Sequence, residues 1–302
     1  MPTTLSDRNG LVNRQIPEMQ LSDGSPSSLT APPPPAPLHL TPEGRAQHRF
    51  AVQGNAIITG GTGTLALAGA RALLEHGLTG LALLDRDAES AADAVEGLAR
   101  DFPAARILVK QVDVTRADEV ARAVGEVSGV LGSVDMLVCY AGVVGCVHAL
   151  DMKPEEWRRT MDINATGAFI CAQAVAREMV GQGRGGSIVF ISSISAHRVN
   201  YPQPQSAYNV SKAALLHLKN CLAAEWARYG IRVNSISPGY MDTILNEGAG
   251  LESARKIWAE RNPMGRMGVP AELTGPLVLL CSRAGSFVNG ADLVVDGGAV
   301  VF

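Results

Sequence analysis

The chain has 302 residues, of which 46% are hydrophobic and 18% are charged, so it is long and apolar enough for one large α/β domain. The formal net charge of −3 argues against a nucleic-acid partner. The five cysteines are odd in number and form no CxxC pair, which predicts free thiols and a cytoplasmic protein. No apolar run reaches transmembrane length and the first residues lack a signal-peptide core, so no membrane partner is expected.

The first 48 residues differ in composition from the rest of the chain. They are rich in proline and serine, include the run APPPPAP and show no hydrophobic period. Such a segment buries too little surface to offset its chain entropy. We therefore predict a disordered or polyproline-like tail over residues 1–48 and a folded domain over residues 49–302. A proline run can also bind an aromatic groove of a partner, although a plain tail is the simpler interpretation.

The first predicted strand, Asn55–Thr59, leads into a glycine-rich turn and a helix that ends near Gly77. Strand, glycine turn and helix form the context in which a glycine motif binds a nucleotide. The backbone N–H groups and the dipole at the start of such a helix attract a pyrophosphate. The spacing Gly61-x-Gly63-x-x-Ala66 fits the general dinucleotide fingerprint, in which alanine is tolerated at the last position.

The second predicted strand covers residues 80–84 and ends at Asp85. A carboxylate at this place accepts hydrogen bonds from the ribose hydroxyls of NAD and repels the 2′-phosphate of NADP. Arg86 follows directly and is able to pair with such a phosphate. The two signals conflict. We predict NAD or NADP as the coenzyme, with NAD favoured.

Strands and helices then alternate along the chain. Further strands are predicted at residues 106–112, 134–139, 185–193, 232–237 and 293–295, and helices at 88–101, 116–131, 154–182 (two patterns) and 207–230. This order predicts an α/β fold with a single doubly wound parallel sheet, a Rossmann fold, and helices on both faces. Its ligand belongs at the C-terminal ends of the strands. Cys139, Cys146 and His148 lie close in sequence, but their spacing fits no usual zinc pattern, so no metal is predicted.

A serine, a tyrosine and a lysine follow the fifth strand. Ser193 ends that strand, and the next helix carries Tyr208 and Lys212 one turn apart on one face. An ammonium group beside a phenol favours the phenolate and lowers the pKa of the phenol from its usual value near 10. The pair would be a general acid/base that works near neutral pH without a metal. Ser193 is placed to hydrogen-bond a substrate oxygen beside the phenol.

The glycine loop, Asn164 and the set Ser193, Tyr208 and Lys212 together resemble the short-chain dehydrogenase/reductase family, from Phe50 to the end of the chain. The resemblance implies hydride transfer between a secondary alcohol or ketone and a nicotinamide coenzyme. It implies that Asn164 holds a water molecule of the proton relay and that Lys212 binds the nicotinamide ribose. Coenzyme contacts are implied at Gly60, Gly61, Thr62, Thr64, Leu65, Asp85, Asp113, Val114, Tyr140, Ala141, Gly142, Tyr208, Lys212, Pro238, Gly239, Met241 and Thr243.

Four positions depart from the family pattern. In the glycine motif TGxxxGxG, Thr64 and Ala66 replace the last two glycines, and in the motif NNAG, Cys139 and Tyr140 replace the asparagines. These changes all fall in loops that contact the coenzyme in the family. They are the support for a second class of hypothesis, a non-catalytic binding or regulatory module. A scaffold has no physical need for the four catalytic residues, so we favour an enzyme.

The detail of NYPQPQSAYNVSKAALLH and RVNSISPGYMDT is similar to the fungal sorbose reductase and mannitol, arabinitol and xylulose dehydrogenase-reductase branch of the family. This similarity implies a polyol or ketose as the substrate. A ketoreductase that tailors a secondary metabolite is the alternative within the same reaction class. We interpret residues 244–268 as a lid over the substrate, and we expect a homodimer or homotetramer.

Overall fold

The computed structural model describes residues 15–243, 246 and 248–301 of the chain. Within these residues, seven strands form one parallel sheet, with the bounds β1 Asn55–Thr59, β2 Gly80–Asp85, β3 Arg106–Gln111, β4 Met136–Cys139, β5 Gly186–Ile191, β6 Ile231–Pro238 and β7 Asp292–Val295. Their order across the sheet is β3-β2-β1-β4-β5-β6-β7. The chain therefore reverses its direction of travel between β1 and β4, which is the switch point where such sheets bind ligands.

Helices cover both faces of the sheet, as the alternation predicted. The α-helices of the described residues are α1 Pro42–Phe50, α2 Thr64–Glu75, α3 Ala92–Asp101, α4 Ala117–Leu131, α5 Pro154–Met161, α6 Gly167–Gln182, α7 Ser206–Trp226, α8 Glu252–Glu260 and α9 Thr274–Cys281. Successive strand side chains point to opposite faces, so Ile57 packs with α4, α6 and α7 while Ile58 packs with α2 and α9. The predicted doubly wound sheet is confirmed. No helix in the described part of the chain is long and apolar enough to cross a bilayer.

The predicted element ends differ from the observed ones by a few residues at most, and one difference bears on the site. β5 ends at Ile191 rather than at Ser193, because Ser193 caps the short 3₁₀ turn Ile194–Ala196. Its hydroxyl accepts a hydrogen bond from the backbone N–H of Ser195 at 3.1 Å. This cap stops the strand at the edge of the sheet where the predicted ligand belongs.

The predicted boundary at residue 48 falls inside helix α1. This helix begins at Pro42, because the Thr41 hydroxyl accepts from the backbone N–H of Gly44 at 3.1 Å and proline suits the first helical position. It has no buried residue. Residues 15–41 show turns and bends but neither helix nor strand, and residues 1–14 lie outside the described part.

The segment before α1 touches the domain at separate points. Arg228 donates to the side chain of Gln20, and Arg283 donates to the carbonyl of Pro34. A cavity of about 690 Å³ lies between the residues around Leu29 and the amino-terminal edge of the sheet near Gly230. Leu29 is also in close contact with Gly230, where an added Cβ would lie 2.9 Å from the Leu29 Cβ. Surface hydrogen bonds such as those of Gln20 and Pro34 contribute little stability.

We expect deletion of residues 1–41 to lower the melting temperature by less than about 4 °C, the shift that about 1 kcal/mol produces in a domain of this size. The reason is that this segment adds surface hydrogen bonds rather than core. Calorimetry of the truncated and full chains measures the shift. A fall well beyond that value would mean that the segment around Leu29 belongs to the folded domain.

Candidate active site

The turn between β1 and α2 is a glycine loop that lies almost in contact with neighbouring strands. Gly60 has a φ of +64°, and a Cβ on it would lie 2.6 Å from the backbone nitrogen of Ala141. A Cβ on Gly61 would lie 2.8 Å from the Cβ of Leu83. Glycine is required at both positions, because a side chain would push the loop away from the segment after β4 or from β2.

Helix α2 starts directly from this loop and points its first turn at the groove. Gly63 is the N-cap residue, and no side chain caps the first turn. Thr64, Leu65 and Ala66 line the adjoining cavity. Uncapped N–H groups and the helix dipole fit a pyrophosphate, so this end of the site suits a dinucleotide. Ala66 is buried to 1% exposure in the core, which shows that its methyl group fits between helix and sheet.

Two cavities of about 960 and 510 Å³ follow the C-terminal ends of the strands and share lining residues at the switch point. The predicted coenzyme-binding residues line the first cavity (Thr62, Asp85, Asp113, Val114, Ala141), the second (Thr64, Leu65, Tyr208, Lys212, Pro238, Gly239, Met241, Thr243) or both (Gly60, Tyr140, Gly142). Gly61 is the exception, since it packs against β2 beneath the loop. The cavities together form a groove that fits an extended dinucleotide with a substrate at one end.

Asp85 ties the end of β2 to the glycine loop. Its Oδ2 accepts from the backbone N–H of Thr62 at 3.2 Å, and its Oδ1 accepts from the backbone N–H of Asp87 at 3.1 Å. A carboxylate accepts up to about four hydrogen bonds, so acceptor capacity remains for ribose hydroxyls. Arg86 lines the same cavity. Asp85, which favours NAD, and Arg86, which favours NADP, therefore both line the first cavity.

Asp113 and Val114 form the far wall of that cavity, after β3. The Asp113 Oδ1 accepts from the backbone N–H of Thr115 at 2.9 Å and from its hydroxyl at 2.7 Å. These hydrogen bonds lower the pKa of Asp113, so it is a carboxylate at neutral pH. Val114 packs on α6, where a Cβ on Gly167 would lie 2.8 Å from its side chain.

The two unusual residues after β4 leave the groove open. The hydroxyl of Tyr140 lies beneath α2, where a Cβ on Gly69 would come within 2.6 Å of it, and the ring packs in the core with Leu277. Burial raises the pKa of Tyr140 and raises that of the Cys139 thiol to about 12. Both side chains are thus neutral core groups, and the backbone after β4 still approaches the glycine loop closely.

Ser193, Tyr208 and Lys212 come together in the second cavity. Ser193 lies within hydrogen-bond reach of the Tyr208 phenol and also donates to the Ser195 hydroxyl at 2.9 Å. The Lys212 Nζ lies 5.6 Å from the centre of the Tyr208 ring and donates to the carbonyl of Ile191 at 2.8 Å. The predicted one-turn spacing on α7 therefore brings the ammonium beside the phenol.

The predicted direction of the Tyr208 pKa is wrong. Burial raises the pKa of Tyr208 above its usual value, and the nearby Ser193 hydroxyl opposes this only in part. Burial also lowers the pKa of Lys212 to about 8, so Lys212 is mostly protonated at pH 7. The spacing on the helix could not reveal this result, because it carries no information on desolvation. At neutral pH the phenol holds the proton that a reduced carbonyl needs.

Asn164 holds two parts of the site together from a π-helical turn, Asp162–Thr166. Its Oδ1 accepts from the backbone N–H of Val143 at 2.8 Å, and its Nδ2 donates to the Val143 carbonyl and to the Ser211 hydroxyl, both at 2.9 Å. The side chain is 1% exposed. Asn164 therefore fixes the segment after β4 to helix α7 next to Lys212. Such π-turns are frequent at functional sites.

The second cavity is also lined by residues to which the sequence patterns assigned no individual role. They are Cys146, Asn200, Gln203, Gln205, Tyr240 and Trp258. Trp258 lies on α8, within the predicted lid, and its ring stacks on Tyr240 with centroids 4.2 Å apart and planes 6° apart. Residues 244, 245 and 247 of the lid lie outside the described residues. The predicted lid over residues 244–268 is the sequence signal that covers Trp258.

Comparison with known proteins defines the class of this site. A family model described as Enoyl-(Acyl carrier protein) reductase matches residues 61–300. The NADP-dependent mannitol dehydrogenase of Hypocrea jecorina is 35% identical over 82% of this chain and 93% of its own length. The galactitol 2-dehydrogenase of Rhizobium johnstonii is 37% identical over 83% and 97%. The sorbose reductase of Schizosaccharomyces pombe is 35% identical over 82% and 97%.

Solved structures agree. A gluconate 5-dehydrogenase from Burkholderia cenocepacia, in complex with NADP and tartrate, is 35% identical with a TM-score of 0.78 over 85% of this chain and 99% of that chain. The chain belongs to the short-chain dehydrogenase/reductase family, and its resemblance to the fungal polyol branch is confirmed. It is an oxidoreductase that acts on CH–OH groups with a nicotinamide coenzyme. The predicted preference for NAD finds no support in these relatives.

We expect Tyr208→Phe to lower kcat by at least about 10²–10⁴-fold while coenzyme binding stays close to normal, because only the phenol proton is lost. Lys212→Ala should weaken both turnover and coenzyme binding. Steady-state kinetics and titration of coenzyme fluorescence measure the two effects. Tyr229→Phe, in the 3₁₀ turn Ala227–Tyr229 that follows α7, is the matched control. If Tyr208→Phe keeps most of its activity, the acid/base role assigned to this phenol is wrong.

Proposed function

We propose that this protein interconverts a polyol and a ketose with NAD(P), using Ser193, Tyr208 and Lys212 at the reacting carbon and Asn164 to position them. The observation that carries the proposal is the placement of Ser193 and Tyr208 in one cavity with a wall of uncharged amides, Asn200, Gln203 and Gln205. The relatives named for mannitol, galactitol and sorbose support it.

In the reductive direction a bound nicotinamide coenzyme would supply a hydride to the carbonyl carbon. Tyr208 gives its phenol proton to the carbonyl oxygen. Ser193 turns its one hydroxyl hydrogen from the Ser195 hydroxyl to the same oxygen. The Lys212 ammonium stabilises the phenolate that results and holds the nicotinamide ribose. Asn164 fixes the segment that faces Lys212. The family resemblance implies that it also holds a water of the proton relay. In the oxidative direction the phenolate accepts the proton of the alcohol.

The charge of the cavity favours a neutral substrate. Among the described residues that line the second cavity, Lys212 is the one with an ionised side chain at neutral pH, and it is already bonded to a carbonyl. A carboxylate on the substrate would have no arginine partner in this wall and would lose its hydration. A neutral ketose should therefore bind better than a keto acid of the same size.

A ketoreductase of a secondary metabolite is the second candidate. The observation that favours it is an apolar side of the same cavity, formed by Val144, Ile194, Leu251 and Ala254. A bulky apolar ketone would bury its surface there.

The expected homodimer or homotetramer and the cytoplasmic location stay predictions.

A panel of ketones with both coenzymes tests the proposed function. We expect kcat/KM for neutral ketoses such as fructose, sorbose and ribulose to exceed that for 5-ketogluconate by about tenfold or more, which corresponds to about 1.4 kcal/mol. A bulky aromatic ketone is the third arm. A preference for the keto acid contradicts the neutral-substrate proposal, and activity on the aromatic ketone alone favours the second candidate.

For the coenzyme, we propose that Asp85 favours NAD and that Asp85→Ser shifts the preference towards NADPH. Like charges in close approach at a protein surface repel by about 1–4 kcal/mol, which is tenfold or more in selectivity. The substitution removes that repulsion and leaves Arg86 free to pair with the 2′-phosphate. Arg86→Ala is the matched control, and it should raise KM for NADPH without changing KM for NADH. A wild type that prefers NADPH, as the NADP-dependent relatives do, would mean that Arg86 controls coenzyme choice.

A further inference from the structure

The wall of the substrate cavity opposite Ser193 carries a second phenol, Tyr240, in the turn after β6. It lies two residues beyond Pro238, where the chain leaves the sheet, and it lines the same cavity as Tyr208. The two phenols are close enough for Tyr240 to raise the pKa of Tyr208. A group on Tyr240 is therefore near any substrate that reacts at Tyr208.

Two amides point their N–H groups at the Tyr240 oxygen. Asn200 Nδ2 donates to it at 2.7 Å, and Gln203 Nε2 donates to it at 3.0 Å. The orientation of Gln203 is fixed from its other end, because its Oε1 accepts from the Trp258 indole N–H at 3.2 Å and an indole nitrogen only donates. The Gln203 amide must therefore present its NH₂ group to Tyr240.

These bonds leave the Tyr240 hydroxyl as a donor. A phenol oxygen accepts two hydrogen bonds and donates one. Asn200 and Gln203 fill the two acceptor positions, and the Tyr240 hydroxyl donates to none of the described residues. The buried Oδ1 of Asn200 likewise has no partner among them. Burial raises the pKa of Tyr240, so the hydrogen is present at physiological pH. The ring cannot turn away, since it is stacked on Trp258.

We propose that Tyr240 determines substrate specificity by donating a hydrogen bond to the hydroxyl oxygen on a carbon next to the reacting carbonyl of the ketose. This inference rests on the proposed polyol and ketose function. A buried donor that lacks an acceptor favours a substrate with an oxygen at that place and disfavours one without it. The Tyr240 ring and its stack on Trp258 place the donor, while Ser193 and Tyr208 bind the oxygen that reacts.

The first test is Tyr240→Phe, which removes the hydroxyl and keeps the ring on Trp258. We expect kcat/KM for the best ketose to fall about 3- to 10-fold, the range for one neutral hydrogen bond. The deoxy analogues of that ketose, lacking the hydroxyl at C1 or at C3, complete the cycle. For one of the two analogues, kcat/KM of the wild type should be lower than its kcat/KM for the ketose by the same factor. For Tyr240→Phe, kcat/KM for that analogue should equal its kcat/KM for the ketose.

A second variant separates the direction of the hydrogen bond from packing. Asn200→Asp places a carboxylate acceptor beside Tyr240, which draws the hydroxyl hydrogen away from the cavity. It should reproduce the loss on the ketose while the Tyr240 hydroxyl is still present, and the deoxy analogue should again be unaffected. Tyr229→Phe is the control, and melting temperature and coenzyme binding should stay at wild-type values in every variant.

The outcomes are distinguishable. If wild type and Tyr240→Phe reduce ketoses equally well, the role proposed for Tyr240 is wrong, while the proposed polyol and ketose function stands. An equal loss on the ketose and on both deoxy analogues also overturns it, because that pattern indicates a structural role. Wild type that reduces no ketose but does reduce an aromatic ketone overturns the proposed function itself.

Discussion

The groove depends on one close backbone contact at the switch point of the sheet. Gly60 and Ala141 approach so closely that a single methyl group on Gly60 would lie 2.6 Å from the Ala141 nitrogen. This contact holds the start of α2 and the segment after β4 at a fixed separation, and the two cavities meet there. The Tyr140 ring stabilises the same contact from below, since Gly69 leaves room for its hydroxyl under α2. The start of α2 and the segment after β4 are thereby held in place by a backbone contact rather than by mobile side chains.

Burial of Lys212 carries a cost in stability that the rest of the fold offsets. Lowering the pKa of Lys212 from 10.5 to about 8 corresponds to about 3 kcal/mol of lost stability at neutral pH. The folded-state pKa is the lower one, so the cost is present in full below pH 8 and disappears as the pH rises towards 10.5. The Lys212 ammonium donates to the carbonyl of Ile191. Asn164 holds helix α7 next to it through a hydrogen bond to the Ser211 hydroxyl. A sheet with two buried faces supplies the surplus stability that such a site requires.

Sequence patterns predicted the sheet, its order of elements and the set Ser193, Tyr208 and Lys212, because period, glycine spacing and one-turn spacing are local. They could not predict where the Tyr140 side chain points, since the residue that makes room for it, Gly69, lies far away in sequence. The direction of the Tyr208 pKa was missed for the same reason: desolvation depends on the whole cavity. The tail boundary fell inside α1 because a short capped helix without buried residues leaves no hydrophobic period to detect.

The two phenols of the cavity have different surroundings, which suit the different roles proposed for them. Burial raises the pKa of both Tyr208 and Tyr240, so both carry their hydrogens at neutral pH. Tyr208 has the Lys212 ammonium 5.6 Å from its ring, a cation that stabilises the phenolate once the proton leaves. Tyr240 instead has two neutral amides on its oxygen, and it is placed to donate a hydrogen bond without giving up the proton. A single cavity can therefore use one tyrosine as an acid and the other as a fixed donor, because only one of them has a positive charge to compensate the loss.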